Sequence, residues 1–301
     1  MAAVSAPHDP TRSQAPPPAD ATPGDSHALT GLPALRHVTG TRYVSPFREG
    51  GSLPGLVEAD DLGMYVVKFA GAGQGRKVLV AEVVVGELAR ALGLAVPDLV
   101  TIELPAPIAK YEADEEVQDL LNASPGLNLG VDYLPGAFGY DGSRPVPAEQ
   151  ADAILWLDAL TANVDRTWDN PNLLLWHRAP WLIDHGAALY FHHGWPSRAP
   201  NPQRFAAQRF DADRHVLRDL ASGLPGRHEE FAAALTDRTL KRVVDLVPDA
   251  WLEPTEQLTD AEAIRAAYVE HLRARLDTPA AWLPGAPQGS PGPSRTTGGA
   301  R

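Results

Sequence analysis

Between Asn163 and Gly186 the chain gathers side chains able to handle a phosphate or a hard metal ion. Asp165 is followed five residues later by Asn170 in Asn163-Val164-Asp165-Arg166-Thr167-Trp168-Asp169-Asn170-Pro171-Asn172. A second carboxylate, Asp184, follows an apolar pair of segments, Asn172–Trp176 and Trp181–Asp184, that read as a hairpin turning at His177–Pro180. Phosphoryl transfer from a nucleotide needs such a set: one carboxylate to orient or deprotonate the attacking hydroxyl, and an Asn and an Asp to hold Mg²⁺ against the phosphates. A loop and a strand end are rigid supports for such oxygen ligands. A polar turn followed by a hairpin with a capping Asp is the plainer reading of the same residues.

A second group lies earlier. Lys68 sits in Tyr65-Val66-Val67-Lys68-Phe69, an apolar strand in which alternation carries the charge onto one face. A Lys there can reach phosphates, and a carboxylate on a neighbouring helix can orient it. Glu82 and Glu87 compete for that role. Glu82 is the better partner, because among Val80, Val83, Val84 and Val85 an unpaired carboxylate would be costly. Without each other, Lys68 and Glu82 would be ordinary exposed charges.

The elements that must position these residues fall into two parts. Arg42–Phe47, Gly55–Glu58, Met64–Phe69, Leu99–Leu104 and Leu129–Leu134 have strand character, with turns at 49–52 and 60–63 and a flexible glycine loop at Gly71–Gly75. Val78–Leu92 has helical length and period, with Gly93 at its C-terminal end. The second part is helical around the hairpin, with helices expected at Pro147–Val164, Arg204–Leu220, His228–Val247 and Ala261–Leu276. A β-rich part followed by a helical part defines an α+β architecture. Residues 1–36 and 284–301 are rich in Pro, Gly, Ser and Ala and are expected to be disordered tails around a body at 37–283.

Composition removes several classes of function. There is no Cys, hence no disulfide framework, thiol nucleophile or Cys-ligated zinc, which is compatible with a reducing cytoplasm. A formal charge of −12 lacks the basic footprint of a nucleic-acid binder. No apolar run approaches the roughly 20 residues of a membrane span, and the first residues lack the apolar core of a signal peptide. The expected protein is therefore soluble and cytoplasmic, with neither nucleic acid nor membrane as partner.

The order of strand Lys, helix Glu, linker strand, Asp-x-x-x-x-Asn loop and hairpin Asp resembles the protein-kinase-like superfold. Asn163-x-Asp165 with Asn170, and Glu82 six residues before Leu88-Ala89-Arg90-Ala91-Leu92-Gly93, are similar to the HipA-like kinases. Asp184-His185-Gly186 resembles the metal-binding element in the form found in the neighbouring phosphoinositide 3/4-kinase-like group. The resemblance runs from about Thr41 to Leu220. It implies two lobes, a small β-rich one at about 37–135 and a larger helical one at about 136–283, with ATP and Mg²⁺ between them. It implies Lys68 on the phosphates paired with Glu82, Asp165 as catalytic base, and Asn170 and Asp184 on Mg²⁺. It further implies a hinge at Val131–Leu134, with Asp132, Tyr133 and Leu134 beside adenine, and a glycine loop at Gly50–Pro54 with Gly51 and Ser52 near the phosphates. Thr167 stands where this family usually has His. The implied activity is ATP- and Mg²⁺-dependent phosphorylation of a hydroxyl on a protein or small molecule. The alternatives are a pseudokinase that binds nucleotide without turnover, and a metal hydrolase built on Asp184, His185, His192 and His193. Trp168 and Trp195 could stack on a base, although core packing is the default for Trp.

Overall fold

The computed structural model describes residues 35–47, 53–73, 75–110 and 112–285. The predicted Gly51 and Ser52, and the two predicted tails apart from a few body-side residues, lie outside that set. The first element, β1 (Arg36–Pro46), pairs antiparallel with β2 (Gly55–Ala59), and β2 pairs likewise with β3 (Met64–Lys68). Strand β4 (Leu99–Leu104) pairs antiparallel with β5 (Gly126–Asp132), which also pairs with β3. A parallel seam between β1 and β4, with Arg36 opposite Val100, closes a five-stranded barrel. The first strand expected from the sequence begins at Arg42; the observed one begins six residues earlier, at Arg36, and those added residues include the segment that makes this seam.

Alternation along β3 decides which way Lys68 faces. Tyr65 and Val67 are buried inside the barrel with Val57, Ile102 and Leu104. Lys68 therefore lies on the opposite face of the strand, toward helix α1 (Arg76–Ala91). That helix is apolar almost all round, with every residue from Val78 to Ala89 buried. It shares a core with Leu129 and Val131 of β5 and with the helices that follow. Helix α2 (Glu115–Asn122) was not anticipated. Its start is plain in retrospect, since Asp114 caps the backbone N–H groups of Glu116 and Val117 and two Glu residues occupy the first turn.

The longer helix α3 (Ala148–Thr161) stops at Ala162, which adopts a left-handed conformation (φ 54°). A short strand β6 (Phe138–Gly139) pairs with β7 (Leu173–Trp176), and β7 forms the anticipated hairpin with β8 (Ala179–Leu182). His177 and Arg178 take positive φ in the two-residue turn. The helix expected over Arg204–Leu220 is only α4 (Pro202–Ala206) followed by turns. A local turn and two tertiary ties hold that chain off a helical path: Asp213 N–H donates to Asp211 two residues back, and His215 bridges to Thr167 and to buried Asp158. The helix expected over His228–Val247 is two, α5 (His228–Ala234) and α6 (Asp237–Asp245), because Thr236 caps the second through the Thr239 N–H. The last helices among the described residues are α7 (Ala261–Leu276) and α8 (Pro279–Trp282). Among the described residues no helix is long and apolar enough to cross a membrane.

Candidate active site

Strand β3, helix α1 and the segment after β8 bring three charged side chains together. Lys68 Nζ donates to Glu82 Oε1 at 2.5 Å and to Asp184 Oδ1 at 2.7 Å. Lys68 and Glu82 are buried, whereas the Asp184 side chain remains 42% exposed. Glu87, the competing partner, instead meets Arg90 at 3.3 Å. Burial alone would depress the Lys68 ammonium, but the Glu82 and Asp184 carboxylates outweigh it and raise its pKa. Burial raises the Glu82 carboxyl despite Lys68 and a hydrogen bond with the His185 backbone. Asp184 is also penalised by burial, yet Lys68 wins there and lowers its pKa. Asp184 itself sits at φ 54°, and a Cβ on Gly186 would lie 2.6 Å from Val78 Cγ1 and 3.2 Å from Glu82 Oε1. The Gly of Asp184-His185-Gly186 thus lets α1 approach closely.

The loop between α3 and β7 carries the other half of the site. Asp165 Oδ2 accepts from Asn170 Nδ2 at 2.9 Å and from Asn172 Nδ2 at 3.2 Å, and the Asp165 backbone N–H donates to Asn163 Oδ1. With its Nδ2 committed to Asp165, Asn170 Oδ1 accepts no hydrogen bond among the described residues. Asn172, which sequence reading passed over, takes φ 48° and offers its carbonyl to Arg166 and to the Ile183 N–H. That last bond ties the loop to the strand leading to Asp184.

Under the loop lies a buried ionic network that sequence reading also missed. Asp158, fully buried in α3, accepts from Arg166 Nε at 2.6 Å, from Asn163 Nδ2 at 3.0 Å, and pairs with His215 Nε2 at 2.9 Å. Burial opposes ionisation of Asp158, but Arg166 and His215 hold its carboxyl well below the usual range. The legible signal was a lone carboxylate inside the apolar run Ala153–Leu160. His185 lies 3.5 Å from Arg166, and burial followed by the Arg166 charge pushes its imidazole down to about 3, so it is neutral at neutral pH. Thr167 donates its N–H to the carbonyls of Asp165 and Asn170 and faces His215 across an isolated bridge.

The remaining predicted residues fall as follows. Asp132 ends β5 opposite Tyr65, and the Tyr133 N–H donates to the Met64 carbonyl; Leu134 is buried. Trp168 is 59% exposed and stacks on Tyr140, whereas Trp195 is buried in an aromatic cluster. Gly71 is tied down rather than free: its N–H donates to Ser124 Oγ, and a Cβ would meet the Ala123 carbonyl. The hydrolase grouping does not assemble. His192 bonds Tyr268 and His193, His185 faces Arg166, and among the described residues no cluster of three His, Asp or Glu side chains is placed to hold a metal ion.

Lys68 is thus shared between a helix carboxylate and the aspartate of Asp184-His185-Gly186, and the Asp165–Asn170 loop is joined to that segment through Asn172 and Ile183. The model of the HipA-like kinase family matches residues 42–284, and the chain belongs to that family. Among solved structures it is similar to the Helicobacter pylori proinflammatory kinase CtkA, at 12% identity over 80% of this chain and 97% of that one, with a TM-score of 0.45. It is also similar to the golgi casein kinase, at 13% identity over 82% of this chain and 72% of the other, with a TM-score of 0.38. The golgi casein kinase with Mn/ADP bound is similar at 13% identity, covering 82% and 74%, with a TM-score of 0.39. No curated protein matches the chain.

Proposed function

We propose that the chain is an ATP- and Mg²⁺-dependent phosphotransferase acting on a hydroxyl group of a protein or small molecule. The observation that carries this reading is Lys68 held between Glu82 and Asp184. A fixed, fully charged ammonium beside a partly exposed carboxylate is suited to phosphate oxygens and a cation at once. In this reading the barrel with α1 forms a small lobe, the remainder a helical lobe, and the Asp132–Leu134 segment the adenine hinge. The boundaries fall at about 37–135 and 136–283, with tails beyond.

The donor set suits Mg²⁺. Asp184 offers a half-exposed carboxylate and Asn170 an uncommitted amide oxygen. Mg²⁺ is ordinarily held by one or two protein oxygens together with substrate phosphates and water, so a full protein cage is not required. When bound, it would neutralise charge on the phosphates. Asp165, held by Asn170 and Asn172, orients the acceptor hydroxyl and takes its proton. As the acceptor oxygen bonds to the γ-phosphorus, the bond from that phosphorus to the ADP oxygen breaks. Lys68 keeps the phosphates in place, and Glu82 fixes Lys68.

The test separates the two acids. Asp165→Asn should bind Mg²⁺-ATP by calorimetry but lose roughly 10²–10⁴ in transfer rate. Asp184→Asn should lose the Mg²⁺-dependent part of nucleotide affinity, and Asn170→Ala should lose it more mildly. Absence of Mg²⁺-dependent binding by the unaltered protein at about 1 mM ATP, the upper end of ordinary Michaelis constants, refutes the reading. Binding with no turnover that Asp165→Asn can reduce makes the chain a pseudokinase.

A further inference from the structure

From His185 to Phe210 the chain carries Arg198, Arg204 and Arg209 but no Asp or Glu, although overall it holds 38 acidic residues against 26 Lys and Arg. Part of this stretch folds around a cavity of about 360 Å³. Tyr190, Phe191, Trp195 and Phe205 supply aromatic walls, and the exposed Arg198 and Arg204 supply its cationic lining. His271 of α7 also lines it, stacked on Phe191 with centroids 4.3 Å apart and planes at 16°. No carboxylate lines the cavity, and among the described residues neither Arg198 nor Arg204 has an ion-pair partner.

A further cation stands behind the wall. Arg275 is buried with its guanidinium carbon 4.6 Å from the Phe205 ring centroid. Its N–H groups donate to the backbone carbonyls of Ala159, Phe205 and Gln208 rather than to a carboxylate. Burial raises the Tyr190 hydroxyl pKa, and the nearby Arg275 and Arg204 cations oppose that rise. A cationic ligand would therefore meet repulsion here with no compensating acid. A flat apolar body carrying an anion would find ring walls for the body and planar guanidinium donors for the charge.

We propose that this cavity is a binding site for an aryl anion, a single aromatic ring bearing a phosphate or carboxylate group. The ring lies against the aromatic walls and the anionic head meets Arg198 and Arg204. The same chemistry is presented by a free aryl phosphate and by a phosphotyrosine side chain. None of the lining residues belongs to the Lys68 or Asp165 clusters, so this site stands or falls independently of the phosphotransferase reading.

The test is a ligand-observed NMR titration of the full chain at constant ionic strength. The probes are phenyl phosphate, inorganic phosphate, benzylamine and a short phosphotyrosine peptide. Phenyl phosphate should saturate below about 5 mM, and inorganic phosphate and benzylamine should bind at least about tenfold more weakly. Arg198→Gln and Arg204→Gln, both exposed positions, should keep the melting temperature and each weaken phenyl phosphate about 3- to 10-fold. Lys68→Met should leave that affinity unchanged. Tighter binding of the peptide than of phenyl phosphate supports the site and identifies a side chain as its ligand; weaker binding supports it and identifies a free small molecule. The proposal is overturned if phenyl phosphate does not bind, if benzylamine binds equally well, if neither Arg substitution matters, or if only Lys68→Met abolishes binding.

Discussion

Replacing Asp158 by Asn tests whether the buried network beneath the Asp165 loop supports that loop. The substitution keeps shape and removes one charge, leaving the Arg166 guanidinium buried with no compensating anion. Removing one partner of a buried pair costs about 3–5 kcal/mol. For a body of this size each kcal/mol lowers the melting temperature by about 2–4 °C, so a fall of roughly 6–20 °C is expected. Urea melts at 25 °C would measure the free energy directly. Removing both charges together, in Asp158→Leu with Arg166→Met, should recover about half of the loss, because the stranded charge disappears. The effect also has a defined pH dependence. Asp158 is depressed below its unfolded value, so its contribution is fully present above about pH 4 and is lost as pH falls through the folded pKa. The gap between the unaltered protein and Asp158→Asn should accordingly be constant from neutral pH to about 4 and shrink below it. An Asp158→Asn cost under about 1 kcal/mol, or a double replacement no more stable than Asp158→Asn, would refute the argument.

Further outcomes are expected. Lys68→Met and Glu82→Gln should each lower phosphotransfer strongly, with the double variant hardly worse than either, measured as kcat/KM. Gly186→Ala should cost about 1–3 kcal/mol in urea melts, because its Cβ would overlap Val78 Cγ1, and Val78→Ala in the same chain should return part of that loss. Arg275→Met should cost about 3 kcal/mol by the same measurement, since the carbonyls of Ala159, Phe205 and Gln208 lose charged donors. A chain cut to residues 35–285 should melt within about 4 °C of full length, a difference of about 1 kcal/mol.

The site was more legible than its supports. Lys68 and Glu82 stood out because each is a charge in an apolar element, and a strand period of two with a helix period near four brings such charges to one interface. Asp165, Asn170 and Asp184 were marked by residue type and spacing around an apolar hairpin. Asp158 carried the same signal as Glu82, but its partners are set by where the chain from Asp211 to Val216 returns, and no local period encodes that. The same return path unmade the helix expected over Arg204–Leu220, where buried pairing of His215 outweighed local propensity. The parallel seam of β1 with β4 was invisible for a related reason, since the register of two strands so far apart is fixed by barrel closure rather than by a turn.

That seam has a consequence during synthesis. His37 faces Thr101 across it, and their side chains meet 64 positions apart. Strand β2 follows β1 closely and can cover one side of it early. At about 5–20 residues per second the ribosome needs roughly 3–13 s to deliver the partner for the other side. Through that interval the emerging chain presents a bare row of backbone donors and acceptors, a template for strand exchange with a second nascent copy. Slowing translation between Arg76 and Leu99 should therefore raise the yield of cross-paired, insoluble chains, while leaving the stability of correctly closed molecules unchanged.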